Sequence, residues 1–218
     1  MSKKTGALLI MLLIVVAGAV GAYFFVEEQA ESPAGGETAI DTSEWATYRN
    51  VQNGYELKYQ NGVILRNGET NTVLVLDDFF SVPQHLKNEL KNTGLSKDGY
   101  FLSMSVSVHE VSNPGNLSIA DWINTERADI VNGAVSRKDG VFIGIPAVFL
   151  ENSLGLNGVY SYKQATVYFF HKGNLFSIRS IARPQNPSEE WRAHRYYQYL
   201  EKSVPITQAI IDSFRFVE

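Results

Sequence analysis

Four histidines are the first residues to weigh for chemistry: His85, His109, His171 and His194. A local metal site would set ligands on one face at short spacing. None of the four stands at HxH, HxxxH or HExxH spacing. His109 and Glu110 are neighbours in an alternating segment, which sends their side chains to opposite faces. Surface or hydrogen-bonded histidines are therefore expected, and no metal residue is assigned. Asp77-Asp78 follows a strand-like segment and has the chemistry to bind a cation or move a proton. A pair at a loop start is ordinarily solvated, and that is the expectation here. Ser103, Ser105 and Ser107 form a hydroxyl row, with no histidine placed beside them as a base. No GxSxG, Walker loop or GxGxxG is present, and Gly155-Leu-Asn-Gly158 lacks the spacing of a phosphate cradle. No catalytic or cofactor-binding residue is assigned, no cofactor is expected, and a non-enzymatic role is.

One cluster has recognition chemistry. Trp191, Tyr196, Tyr197 and Tyr199 are interleaved with Arg192, His194 and Arg195. Rings and guanidinium groups suit a protein partner or a stacked sugar. Rings on a helix equally serve to cover a sheet. Trp191, Arg195, Tyr196 and Tyr199 are the candidate partner-binding face.

The elements that must position these residues are read from periodicity. Tyr55, Leu57 and Tyr59 alternate with polar residues, as on a half-buried strand between the turn pairs Asn53-Gly54 and Asn61-Gly62. Val63 to Leu65 and Thr72 to Leu76 flank Asn67-Gly68, a hairpin signal. Pro83 to Asn92 has the spacing of a short helix. Leu102, Met104, Val106 and Val108 alternate with small polar residues, so one strand face is apolar and the other lightly covered. Ser118-Ile119-Ala120-Asp121 has the form of a capping box opening a helix that Gly133 closes. Strands follow at Val141 to Ile145 and Ala147 to Glu151, with a bulge or edge at Gly144 and Pro146. Ala165 to His171 and Leu175 to Ala182 flank Lys172-Gly173-Asn174, another hairpin. A helix starts at Pro187-Ser188 and stops at Pro205; Ile206 to Ser213 is a last helix. Antiparallel hairpins with separate helices make an α+β fold.

The N-terminus is of a different kind. Ala7 to Val26 is an uncharged apolar run. As a helix it spans roughly 30 Å, the thickness of a bilayer core, and satisfies its own backbone. Lys3 and Lys4 precede it and Glu27, Glu28 and Glu31 follow, so the positive-inside rule keeps residues 1–26 as a cytoplasmic stub and transmembrane anchor. A cleaved signal peptide is the competing reading; a secretory apolar core is shorter, about 7–15 residues. Lys3-Lys4-Thr5-Gly6 looks like the start of a type IV prepilin, but Met11 stands where those proteins carry a glutamate. Residues 27–44 are polar and small, a flexible linker. Trp45 opens a composition dense in apolar residues, enough for one folded domain at 45–218. Zero cysteines exclude a lipoprotein and any disulfide staple. Beyond the anchor, 17 of the 19 basic residues face 23 acidic ones, a poor match for nucleic acid or anionic lipid headgroups.

Several core and turn motifs carry a family likeness. Trp45-Ala-Thr-Tyr48-Arg49-Asn50 followed by Gly54-Tyr55-Glu-Leu57-Lys-Tyr59 resembles the opening of bacterial PsbP-like domains. Ile143-Gly-Ile-Pro-Ala147 continues it, as do Thr166-Val-Tyr168-Phe169, Gly173-Asn-Leu175-Phe-Ser-Ile178 and Ile210-Ile-Asp-Ser213-Phe214-Arg-Phe216. Gln60-Asn61-Gly62 stands where many relatives carry a proline and then a tryptophan. The resemblance spans about Trp45 to Glu218. It implies an α-β-α sandwich with a central antiparallel sheet, preceded here by one transmembrane helix, and a non-catalytic binding or assembly role. The expectation is a single-pass cell-membrane protein with an extracytoplasmic domain. Its partners would be the bilayer, through the N-terminal helix, and a membrane or envelope protein. A structural envelope or pilin-like subunit, assembling through the N-terminal helix, is the alternative.

Overall fold

The computed structural model describes residues 40–91, 102–111, 113, 115–156, 160–184, 189–193 and 195–217. The expected anchor and the linker up to residue 39 lie outside them. Among the described residues no helix is long and apolar enough to cross a membrane. The architecture is mixed, mostly strand, with antiparallel sheets and helices packed on them.

β1 (Ala46–Asn50) and β2 (Tyr55–Tyr59) form a hairpin, with Asn50 opposite Tyr55. Its turn needs Gly54, whose φ of +67° few side chains tolerate. Just before β1, Thr42 is tied to the domain, its carbonyl accepting from Lys58 Nζ at 3.1 Å. β3 (Ile64–Asn67) and β4 (Asn71–Val75) pair as the turn signal predicts. α1 (Gln84–Lys91) and β5 (Ser103–Glu110) follow. Ser118 caps α2 (Ile119–Glu126), its Oγ accepting from Asp121 N at 3.1 Å. The single helix expected up to Gly133 is broken at Arg127, whose φ of −137° is not helical, and resumes as α3 (Ala128–Asn132). Next come β6 (Ala134–Phe142), β7 (Ile145–Leu156), β8 (Tyr160–His171), β9 (Asn174–Arg179) and β10 (Arg183–Pro184). α4 (Glu189–Ala193), α5 (Arg195–Asp212) and β11 (Arg215–Phe216) finish the chain.

The large sheet runs β3-β4-β5-β9-β8-β7-β6, with β10 beside β8; the small one runs β1-β2-β11. Every pairing is antiparallel. On one face of the large sheet Met104, Val106, Phe149, Val167, Phe169, Phe176 and Ile178 meet Tyr55 and Leu57 of the small sheet and Ile210, Ile211 and Phe214. On the other face Val148, Leu150, Tyr168 and Leu175 are covered by Ile119, Trp122 and Ile123 of α2. The serine row lies on this second face, with Ser105 opposite Arg179 and Ser107 opposite Ser177, and is half-buried. A third cluster joins Leu86 of α1 to Tyr196 and Leu200 of α5.

Two local expectations change. Pro205 does not end a helix; α5 runs through it for 18 residues. Proline deletes one backbone donor there. The buried stripe Tyr196, Leu200, Ser203, Thr207, Ile210 and Ile211 continues across it, so packing holds both halves on one line. Thr207 Oγ1 also donates to the Ser203 carbonyl at 2.8 Å, inside that stripe. Gly144 and Pro146 do not mark a bulge. Ile143 and Gly144 form a two-residue hairpin turn with φ of +46° and +82°, setting Phe142 opposite Ile145.

The left-handed conformation costs an ordinary L-residue about 1–2 kcal/mol, and asparagine tolerates it better. Ile143 is 42 % exposed, so replacing it forfeits little burial. Ile143→Asn should therefore raise the unfolding free energy by about 1 kcal/mol in urea titration. Tyr55 supplies a pH signature. Burial, opposed by hydrogen bonds with Thr72 and Asn50, raises its pKa above the usual 10.0. The folded state then holds the phenol proton more tightly than the unfolded chain. That contribution is full below pH 10.0 and is lost as pH rises through the folded-state value. Unfolding curves on either side of that pH should show a steep loss of stability on the alkaline side. Tyr55→Phe should flatten it, leaving the part due to Tyr197, at a cost of about 1 kcal/mol at neutral pH.

Candidate functional site

Two tight turns and the chain end enclose a cleft of about 520 Å³. The first turn joins β1 to β2, and Val217 N fastens to it by donating to the Gly54 carbonyl at 2.9 Å. The second joins β8 to β9. Lys172 and Gly173 sit there at φ of +49° and +82°, the mirror-type turn that suits a two-residue hairpin. This sets His171 opposite Asn174. His171 lies flat on Phe216, ring centroids 3.4 Å apart and planes 14° from parallel. Arg49, Gln52, Asn53, Lys172 and Asn174 supply the polar lining; among the described residues no aspartate or glutamate lines the cleft. Burial and the neighbouring Lys172 charge lower the His171 pKa below its ordinary value, which favours the neutral ring at pH 7.

Facing Arg49 from β2 is Glu56, which is itself not among the lining residues. Its strand position predicts a solvent-facing side chain, yet it is 8 % exposed. Arg215, brought opposite it by β11, donates from Nε to Glu56 Oε1 at 2.6 Å, and Arg49 Nε lies 4.0 Å from Oε2. The carboxylate is thereby compensated by two guanidinium groups, Arg49 across the β1–β2 hairpin and Arg215 from a distant part of the chain.

The residues singled out by sequence fall as follows. His85 is exposed on α1. His109 and His171 lie near the same end of the large sheet but on opposite faces, since Leu175, opposite His109, neighbours Asn174, opposite His171. His194 is outside the described residues. Among the described residues no three histidine or acidic side chains gather into a metal-binding group. Asp78 is exposed and paired with Lys87 Nζ at 2.7 Å. Asp77 is not solvated: it is fully buried, with Leu102 N 3.4 Å from each carboxylate oxygen.

Trp191 belongs to α4; Arg195, Tyr196 and Tyr199 belong to α5. Arg195 is exposed and Tyr199 half-buried. Tyr196 is 2 % exposed and packs in the cluster with Leu76, Leu86, Leu102 and Leu200. Tyr196 is therefore part of the core rather than of a partner-binding face. The signal was present, because Tyr196 and Leu200 are four residues apart on the stripe that faces the sheet. Tyr197 is half-buried, and burial together with Glu201 raises its pKa. The cleft was not anticipated: its lining comes from residues 49–54, 171–176 and 217. The only local hints were the turn pairs Asn53-Gly54 and Lys172-Gly173.

Tyr196→Ala should destabilise the domain by about 3–5 kcal/mol, the range for deleting a buried ring. Arg195→Ala should stay within about 0.5 kcal/mol of the parent in the same denaturation experiment.

No family model matches the chain, and no curated protein matches it. Among solved structures, the chain is similar to cyanobacterial PsbP (CyanoP) from Synechocystis sp. PCC 6803. The TM-score is 0.45 and the identity 15%, over 85% of this chain and 99% of that one. It is also similar to a protein of unknown function from Pseudomonas aeruginosa, with TM-score 0.31 and 10% identity, over 72% of this chain and 92% of that one.

Proposed function

We propose that this chain is a single-pass membrane protein whose exported domain, of PsbP-like type, binds a membrane or envelope protein and catalyses nothing. In this reading the domain is an α-β-α sandwich around its antiparallel sheet. The uncharged run Ala7 to Val26 supports the anchor, and Lys3 and Lys4 support a cytoplasmic N-terminus. The motifs between Trp45 and Phe216 support the family likeness. The observation that carries the binding role is the outer side of α4 and α5. Arg192 and Arg195 are exposed there and Tyr199 is partly so, while Tyr196 and Leu200 root α5 in the core. Tyrosine and arginine are favoured at protein interfaces, and a rooted helix presents them without a large ordering cost. Trp191 belongs to the same stretch of chain. The polar segment 27–44 gives the domain reach along the membrane surface.

The test uses the full-length chain in its own cell. It should sediment with membranes, resist an alkaline carbonate wash and keep Met1. A photo-crosslinking residue at Tyr199 or Arg195 should capture one envelope protein, and the same residue at His85 should not. Recovery of the full-length product in the cytosol would overturn the reading. Processing after Gly6 with recovery in filaments would replace it by the pilin-like one.

A further inference from the structure

We propose that the cleft between the β1–β2 and β8–β9 turns is a binding site for a phosphoryl group. Every polar side chain described in its lining can donate. Arg49 and Lys172 bring two cations, and Gln52, Asn53 and Asn174 bring three side-chain amides. Glu56, which is not among the lining residues, lies 4.0 Å from Arg49 but takes its short hydrogen bond, 2.6 Å, from Arg215. Guanidinium, ammonium and amide donors converging on one concave space match the several acceptor oxygens of a phosphoryl group. The volume of about 520 Å³ admits the ester carrying that group. His171, flat against Phe216, walls the site with a ring that becomes a further donor if it gains a proton.

The charge of the chain does not oppose this. Six of the 23 acidic residues precede Trp45; the remaining 17 match the 17 basic residues of the folded part. The acidic excess belongs to the linker, and the domain behind the cleft is neutral. Two sources present the same chemistry: a soluble phosphate ester and the headgroup of an anionic phospholipid. Val51 bears on the choice. It lines the cleft from the β1–β2 turn and is 82 % exposed, an apolar side chain placed where a bilayer surface would accept it.

The experiment follows the His171 ring by NMR in the full-length chain held in phosphatidylcholine nanodiscs. The reporter is inside the cleft, so it reads the site whether or not residues 7–26 insert. In one arm glycerol 3-phosphate is titrated in; in the other, phosphatidylglycerol replaces part of the lipid and nothing is added. Saturable movement of the ring signal, with a rise in the His171 pKa, is expected in at least one arm. The first arm alone identifies a soluble ester. The second alone, lost in Val51→Ser, identifies a headgroup. Lys172→Asn keeps a residue suited to the turn while removing the charge, and Arg49→Gln removes the other cation. Each should weaken binding about tenfold, as loss of a charge-assisted hydrogen bond does. Arg66→Gln, on the exposed strand β3 and outside the cleft lining, should leave it unchanged. No saturable shift in either arm overturns the proposal, and so does a shift that survives both Lys172→Asn and Arg49→Gln.

Discussion

Aromatic rings from distant parts of the chain meet between the two sheets, and the remaining structure depends on that meeting. Phe169 of β8 and Phe176 of β9 stack at 5.4 Å. Phe214, just after α5, lies 5.2 Å from the ring of Tyr55 in β2 and 6.0 Å from that of Phe142 in β6. Burying each such ring contributes about 1.5–3 kcal/mol, and favourable ring pairs add about 0.5–1.5 kcal/mol. Gains of this size, repeated over the cluster, offset the roughly 1–2 kcal/mol per residue that ordering the backbone costs. The cluster is what holds the first hairpin and the end of the chain to the large sheet.

A polar relay runs beside the rings. Asn50 Nδ2 donates to the Tyr55 hydroxyl at 3.4 Å, Tyr55 donates to Thr72 Oγ1 at 2.8 Å, and Thr72 donates to Asn67 Oδ1 at 3.2 Å. Each hydroxyl removed from water thus finds a partner, which the low polarity of the interior demands. Ser213 makes a second tie, its Oγ accepting from Lys58 N at 2.7 Å. Together they fix the small sheet in one position over the large one. The two turns that wall the cleft are therefore held against each other by core packing and through the chain end, where Phe216 stacks on His171 and Val217 N donates to the Gly54 carbonyl. A recognition site built this way is set in shape before any ligand arrives, which lowers the ordering cost of binding.

Much of the fold was legible wherever the information was local. The alternation in β5, the Ser118 cap and the Lys172-Gly173 turn all express preferences of a few neighbouring residues, and each appears in the structure. Other elements had no such local voice. β1 pairs with β2 and alternates beside it, yet Ala46 and Tyr48 are too few apolar side chains to mark a strand by themselves. The first part of β6, Ala134-Val-Ser-Arg-Lys-Asp139, reads as a polar stretch because it lies at the edge of the sheet, where charged side chains discourage pairing with another chain. Pro205 reads as a stop because propensity acts over one turn, whereas the buried stripe from Tyr196 to Ile211 that overrules it acts over about four. Glu56 and Asp77 looked solvent-facing because a pattern of polar residues carries no record of a distant partner or cover.

By itself the sequence determined the apolar run, the acidic excess before Trp45, and most strands and turns. Each of these is a property of composition or of contacts a few residues apart. Only the tertiary structure decided that Tyr196 turns inward while Arg195 stays outside, that Arg215 reaches Glu56, and that residues 49–54, 171–176 and 217 share one cleft. Those outcomes come from long-range packing, in which segments far apart in the chain compete for the same buried space. No short window of residues contains the terms of that competition.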